Sequence, residues 1–180
     1  MSILQRLRWK FGITTEADRK NDWPCVVMLL REPLLPTQDE SVKVGQTSWG
    51  AHAPVKLMSV ANDGKSYILS SGTFVFSINL GSGPYGLEGQ EPSEAQQIPW
   101  NEHKAWMSID APTQKVEKLR QSKALGAVYQ LLLVYALRSW STNCLGIFFP
   151  AEGITVPNLG DLAQSLQWGR QNGINLSFLK

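Results

Sequence analysis

The stretch VKLMSVANDGKSYILSSGTFVFSINL, residues 55–80, decides the fold, because it holds three strand-like runs joined by two short turns. Asp63-Gly64 separates the first two runs, and this pair between apolar runs indicates a hairpin, since glycine accepts the positive φ that such turns need. The third run alternates in character, with Phe74, Phe76, Ile78 and Leu80 on one face and Val75, Ser77 and Asn79 on the other. The stretch therefore predicts a three-stranded antiparallel meander with one buried face.

Segments on both sides of this meander add further strands and helices. The run at 25–31 is almost wholly apolar and lies between two prolines, which is typical of a strand in the centre of a sheet. Thr37 is a candidate N-cap for a helix over 37–51. Strands are also predicted at 104–110, 145–149 and 174–179, and helices at 114–139, with Thr113 as N-cap, and at 159–170. This order predicts a single α+β domain at 25–180, with helices packed on a mixed, mainly antiparallel sheet.

Residues 1–24 form a separate leader in this interpretation. Residues 2–13 predict a short amphipathic helix, and 14–24 a polar linker. One helix face carries Ile3, Leu4, Leu7 and Phe11, and Arg6, Arg8 and Lys10 surround it. This face could dock on the Leu133 and Leu137 side of the long helix, within the chain or across a homodimer. It could also contact an anionic membrane through residues 1–13, and docking on protein is favoured over this alternative.

Composition narrows the class of protein. The chain has 180 residues, 43% of them hydrophobic, which suits one domain, and its net charge is +2. Residues 21–180 hold 12 cations and 13 anions, which argues against a nucleic-acid partner. No apolar stretch is long enough to span a bilayer and no signal peptide precedes the domain, so we expect a cytoplasmic protein. Cys25 and Cys144 begin apolar runs and are predicted to be core residues.

A glycine motif follows the meander and invites a nucleotide-binding interpretation. Gly81-Ser82-Gly83-Pro84-Tyr85-Gly86 has the spacing G-x-G-x-x-G, with Asp110 downstream as a candidate ribose ligand. That chemistry needs a helix that begins inside the motif, and Pro84 and the further glycines and prolines after it prevent one. The nucleotide interpretation is therefore rejected, and we expect no cofactor.

His103 is the candidate for acid–base chemistry. It lies next to Glu102 and just before the strand that carries Asp110, and with either carboxylate it could act as a general base. Neither histidine nor cysteine occurs at metal-ligand spacing, so no metal site is predicted. A small hydrolase or transferase using His103 with Glu102 or Asp110 is the second functional hypothesis.

The sequence predicts a long loop at 81–103, rich in glycine and proline, and this loop supports the first hypothesis. Segments of this length are often functional, and aromatic side chains are favoured anchors of interfaces. Tyr85 and Trp100 lie in this segment and Trp106 follows it. We therefore expect these three residues to bind a protein partner. The protein would then be a non-catalytic interaction, accessory or toxin-neutralising protein.

Four short strings resemble the N-terminal region of bacterial proteins assigned to domain-of-unknown-function family 4261. They are Val26-Val27-Met28-Leu29-Leu30-Arg31-Glu32-Pro33, Phe74-Val75-Phe76, Ile98-Pro99-Trp100 and His103-Lys104-Ala105-Trp106. The resemblance spans about residues 25–150. It implies a bacterial cytoplasmic α+β protein, and it implies no activity or site residues.

Overall fold

The computed structural model describes residues 23–34, 36–51, 53–61, 63–86 and 97–179. The amphipathic helix predicted at 2–13, and the linker up to residue 22, lie outside these ranges.

The described strands form one seven-stranded sheet. The strands are β1 (Cys25–Leu30), β2 (Val55–Val60), β3 (Ser66–Ser71), β4 (Phe74–Ser82), β5 (Ala105–Asp110), β6 (Cys144–Phe149) and β7 (Ile154–Pro157). Their order is β2-β3-β4-β5-β1-β6-β7, and β2, β3 and β4 are the predicted meander. The α+β class with helices on a sheet is thus confirmed. All pairings between the described strands are antiparallel, whereas the sequence had suggested a partly mixed sheet.

Five helices accompany the sheet in the described part of the chain. They are α1 (Gln38–Trp49), α2 (Gln97–Glu102), α3 (Val116–Gln121), α4 (Leu125–Trp140) and α5 (Leu162–Gln171). Helix α1 begins as predicted at Thr37, whose hydroxyl accepts the Glu40 amide while the Glu40 carboxylate accepts the Thr37 amide. This reciprocal capping box satisfies two helix-end donors at once.

The first face of the sheet is covered by α1 and α4. Trp49 of α1 stacks on Phe76 of β4 at 3.9 Å and on Tyr135 of α4 at 4.9 Å between ring centroids, and its indole N–H donates to the Leu131 carbonyl at 2.9 Å. Leu133 is only 3% exposed in this core. The predicted docking of residues 1–13 on α4 lies outside the described residues.

The second face has its own, smaller cluster. Cys25, Val27 and Leu29 of β1 point to this face and pack with Phe148 of β6, while the alternate β1 residues point to the first face. Because β1 lies between β5 and β6 and is covered on both sides, its sequence is apolar at every position. Half-buried aromatic residues surround this cluster: Trp23, Tyr85, Trp100 and Trp106.

Three sequence predictions need correction. The loop expected at 81–103 contains the end of β4 and the helix α2, which packs on β6 and β7 through Pro99 and Trp100. The single helix expected at 114–139 is divided into α3 and α4 by a break at Lys123, whose φ of 58° no α-helix accommodates, and α3 has Lys115 instead of Thr113 as its N-cap. The last segment, expected as a strand at 174–179, instead contains a 3₁₀ turn at Ser177–Leu179. The Asn175 side chain accepts the Ser177 amide at 3.1 Å and so favours a turn.

The two cysteines are buried in the core, as predicted. Burial raises the pKa of the Cys144 thiol to about 12. The protonated thiol is therefore the stable form, which suits a core residue and not a nucleophile.

Candidate functional site

The second face of the sheet carries a tryptophan ring and a proline ring that each lie against a glycine of a strand. Gly81 of β4 is paired with Trp106 of β5, and a Cβ at Gly81 would overlap the Trp106 indole ring. A Cβ at Gly146 of β6 would lie 2.8 Å from Cβ and 2.9 Å from Cγ of Pro99 in α2. Both glycines thus allow a ring to approach the backbone directly.

Trp100 holds α2 against this face. Its indole N–H donates to the Thr155 hydroxyl of β7 at 2.8 Å, and Thr155 is only 1% exposed. Its ring meets Phe148 edge to face at 5.1 Å between centroids. Trp100 therefore has a structural role in addition to its half-exposed surface.

Tyr85 lies in the chain after β4 and completes the group. Its ring centroid is 5.2 Å from that of Trp106, with an interplanar angle of 81°, and 6.4 Å from that of Trp100. We call Tyr85, Trp100 and Trp106 the aromatic face. The structure brings together these three residues, which come from three different elements and which the sequence singled out as partner-binding residues.

His103 connects two parts of this region. It is 6% exposed, its Nε2 accepts the backbone N–H of Tyr85 at 2.8 Å, and its Nδ1 lies 2.7 Å from the Trp100 carbonyl oxygen. The second contact is a hydrogen bond only when Nδ1 carries the proton, which leaves Nε2 free to accept. The two contacts therefore fix a neutral ring with its proton on Nδ1.

The two carboxylates proposed as partners of His103 lie elsewhere. Glu102 is the exposed last residue of α2. Asp110 is at the far end of β5 and, at the usual rise per residue, roughly 20 Å from His103 along the chain. The structure does not bring His103 and Asp110 together.

Asp110 belongs to a polar cluster on the second face. Its carboxylate accepts the Asn79 amide at 2.8 Å and the Ser108 hydroxyl at 3.1 Å, and Asn79 also donates to Ser108. These side chains alternate with core residues along β4 and β5, so they share the face with Trp106. The cluster satisfies the polar groups of a half-exposed sheet surface.

The glycine motif at 81–86 has structural explanations. Gly81 is inside β4 and makes room for Trp106, and Gly83 has a φ of 91°, which favours glycine. Within the motif, the residues after Ser82 as far as Gly86 are not helical.

Sequence reasoning missed the residues beneath the aromatic face. Phe148, Thr155, Pro99 and Gly146 meet there although up to 56 residues separate them. The alternation of Gly146 and Phe148 in β6 was a usable signal, because both point to the same face.

Two further kinds of functional feature are absent from the described ranges. No three acidic, histidine or cysteine side chains within them converge to suit a metal ion. The described helices are all too short or too polar to cross a membrane.

Comparisons of the chain with protein-family models, with curated proteins and with solved structures yield no significant match. The resemblance to domain-of-unknown-function family 4261 stays a prediction.

Proposed function

We propose that this chain is a non-catalytic interaction protein and that its aromatic face binds a protein partner. The observation that carries the proposal is the convergence of Tyr85, Trp100 and Trp106, all half-buried, on one side of the sheet. Tryptophan and tyrosine dominate binding hot spots because they offer large apolar area and a polar tip.

The support beneath the aromatic face favours a preorganised surface. Trp100 is held by Thr155, and Trp106 lies against the backbone at Gly81. Side chains that are already ordered lose less conformational entropy on binding than free ones. A partner would therefore contact a rigid surface at Trp100 and Trp106. Tyr85, in the chain after β4, lies beside both rings.

The second hypothesis, a small hydrolase or transferase using His103 with Glu102 or Asp110, has weaker support. A general base needs a free ring nitrogen within reach of its substrate. Both nitrogens of His103 contact main-chain atoms, and the ring is 6% exposed. Catalysis would first require the Tyr85 segment to move away.

The wider context of the proposal follows from the sequence. We propose an accessory or toxin-neutralising role in a bacterial cytoplasm, with a protein, not nucleic acid, as partner. A homodimer in which residues 1–13 dock on the Leu133 and Leu137 side of the partner copy is a further proposal, and contact of residues 1–13 with a membrane is the less favoured alternative.

Photo-cross-linking at residue 85 tests the proposal. A photoreactive phenylalanine analogue replaces Tyr85, and in a matched control protein it replaces Trp168, a half-buried residue of α5. Both proteins are irradiated in cells of the source organism. We expect a discrete cross-linked protein, or a cross-linked dimer of this chain, from position 85 and not from position 168.

Two results would contradict the proposal. One is the same set of cross-links from both positions, which would indicate random collisions. The other is the absence of any cross-link from position 85 in a protein that has kept its native circular dichroism spectrum.

A further inference from the structure

Among the contacts of residues 83–86, which we call the Tyr85 segment, two hydrogen bonds of main-chain amides differ in chemistry. The Gly83 amide donates to the Lys104 carbonyl at 2.8 Å, a main-chain bond that does not depend on pH. Pro84 has no N–H to donate. The Tyr85 amide then donates to a titratable acceptor, Nε2 of His103, at 2.8 Å.

We propose that His103 is a proton-sensitive switch that holds Tyr85 in the aromatic face when its ring is neutral and releases it when the ring is protonated. The role of the switch as a regulator of binding rests on the proposed function, whereas the switch itself does not.

The mechanism follows from the hydrogen-bonding capacity of imidazole. The neutral ring donates from Nδ1 to the Trp100 carbonyl and accepts at Nε2. A proton added to Nε2 turns this acceptor into a donor, which then faces the Tyr85 N–H. Two donors cannot bond to each other, so protonation breaks the Tyr85 contact and leaves the Trp100 contact intact.

Within the described ranges, the hydrogen bonds of the His103 ring are to the Tyr85 amide and the Trp100 carbonyl. The loop after β4 brings the Tyr85 phenol, α2 ends at the exposed Glu102, and the strand side begins with the exposed Lys104. Lys104 bonds through its amide to the Leu30 carbonyl at the end of β1, where Arg31 is exposed. None of these groups, nor any other described residue, forms an ion pair with His103.

The release of Tyr85 requires a point about which the chain moves, and the structure indicates where this hinge lies. Gly83 has a φ of 91°, and its main-chain bond to Lys104 anchors the segment on the β4 side. Release therefore begins at Pro84 and removes Tyr85 from Trp106, while Trp106 keeps its place over Gly81.

The pH dependence has a definite sign. The closed arrangement requires the neutral ring, so it is most stable above the ordinary imidazole range and weakens as the pH falls through it. For a solvent-accessible imidazole in general, whose unperturbed pKa is about 6.5, linkage of this kind changes the ratio of two states about tenfold between about pH 7.5 and about pH 5.5.

Amide hydrogen exchange measured by NMR tests the switch without a partner. After correction for intrinsic exchange, we expect protection of the Tyr85 amide to fall about tenfold across this pH range, while that of Gly83 stays constant. In His103→Gln, whose side-chain oxygen can accept the same amide without titrating, the protection of Tyr85 should not change with pH. His52→Gln removes the other histidine of the chain and should behave as the wild-type protein does.

The ring signals of His103 provide a second measurement in the unmodified protein. We expect the Nδ1-protonated neutral form near neutral pH, and an imidazolium that appears in step with the loss of Tyr85 protection. Imidazolium formation with Tyr85 still protected, or equal loss of protection at Tyr85 and Gly83, would overturn the proposal. Neither result involves partner binding, so a negative result for the switch would not contradict the proposed function. The absence of a partner would likewise not contradict the switch.

Discussion

Replacing Gly146 by alanine tests whether α2 lies on the second face through direct contact of a ring with the β6 backbone. The added Cβ would lie 2.8 Å from Cβ and 2.9 Å from Cγ of Pro99, and 3.0 Å from the Val156 carbonyl oxygen. These separations are shorter than normal carbon contacts of about 3.5–4.0 Å. Proline is rigid and the carbonyl belongs to a paired strand, so neither neighbour can move alone.

The magnitude follows from overpacking and from the contacts that α2 would lose. Overpacking a well-filled site costs about 1–3 kcal/mol. If α2 moves outward, the hydrogen bond from Trp100 to Thr155 is also lost, and a buried polar group left unpaired costs about 1–3 kcal/mol. The two costs arise from neighbouring groups and do not simply add. We therefore expect Gly146→Ala to lower the free energy of unfolding by about 2–4 kcal/mol.

Urea denaturation, followed by tryptophan fluorescence, measures this change, and Gly86→Ala is the matched control. A Cβ at Gly86 has no neighbour within 4 Å. The control should leave stability unchanged, or raise it by about 0.4–1 kcal/mol through a less flexible unfolded chain. A loss below about 0.5 kcal/mol for Gly146→Ala, within the range of ordinary surface substitutions, would refute the reasoning that Pro99 lies directly on the strand.

Three further substitutions test individual parts of the fold. Thr155→Val removes the acceptor of the Trp100 indole N–H, and should lower the free energy of unfolding by about 1–3 kcal/mol in urea denaturation; an unchanged value would show that this hydrogen bond contributes nothing. Thr37→Ala removes the capping box with Glu40 and should cost about 1 kcal/mol by the same measurement, whereas a neutral effect would contradict the capping role. Lys123 has a φ of 58°, which glycine adopts without strain, so Lys123→Gly should raise the free energy of unfolding by about 1 kcal/mol and with it the thermal midpoint. A lower thermal midpoint would count against strain at this position.

Local signals in the sequence predicted most of the described fold. The Asp63-Gly64 turn and the alternation along 74–80 identified the meander, and the unbroken apolar run of β1 identified a central strand. The Thr37 cap identified the start of α1. These features depend on residues that are close in sequence, so they can be recognised without knowledge of the tertiary structure.

The errors arose where tertiary packing decides the outcome. The break at Lys123 lies inside a segment with good helix formers, so the local sequence does not mark it. The strand β7 has four residues and follows a turn closed by the Gly153 amide, so its pattern was too short to recognise.

The aromatic face was predicted in part. Tyr85, Trp100 and Trp106 were identified from residue type and from the length of the segment near them, but not from their mutual contacts. The role of His103 in holding Tyr85 could not be predicted, since a histidine beside a carboxylate in sequence equally suggests a general base. Only the backbone geometry shows that its ring nitrogens face main-chain groups.

The affinity of the cross-linked partner for three forms of this protein tests the central claim most directly. The dissociation constant is measured by calorimetry for the wild-type chain, for Tyr85→Ala and for the control Trp168→Ala, each checked for an unchanged thermal midpoint. A hot-spot residue contributes about 2 kcal/mol or more, so we predict that Tyr85→Ala weakens binding about 30-fold or more and that Trp168→Ala binds as tightly as the wild-type chain. Wild-type affinity of Tyr85→Ala would contradict the assignment of the aromatic face as the binding surface.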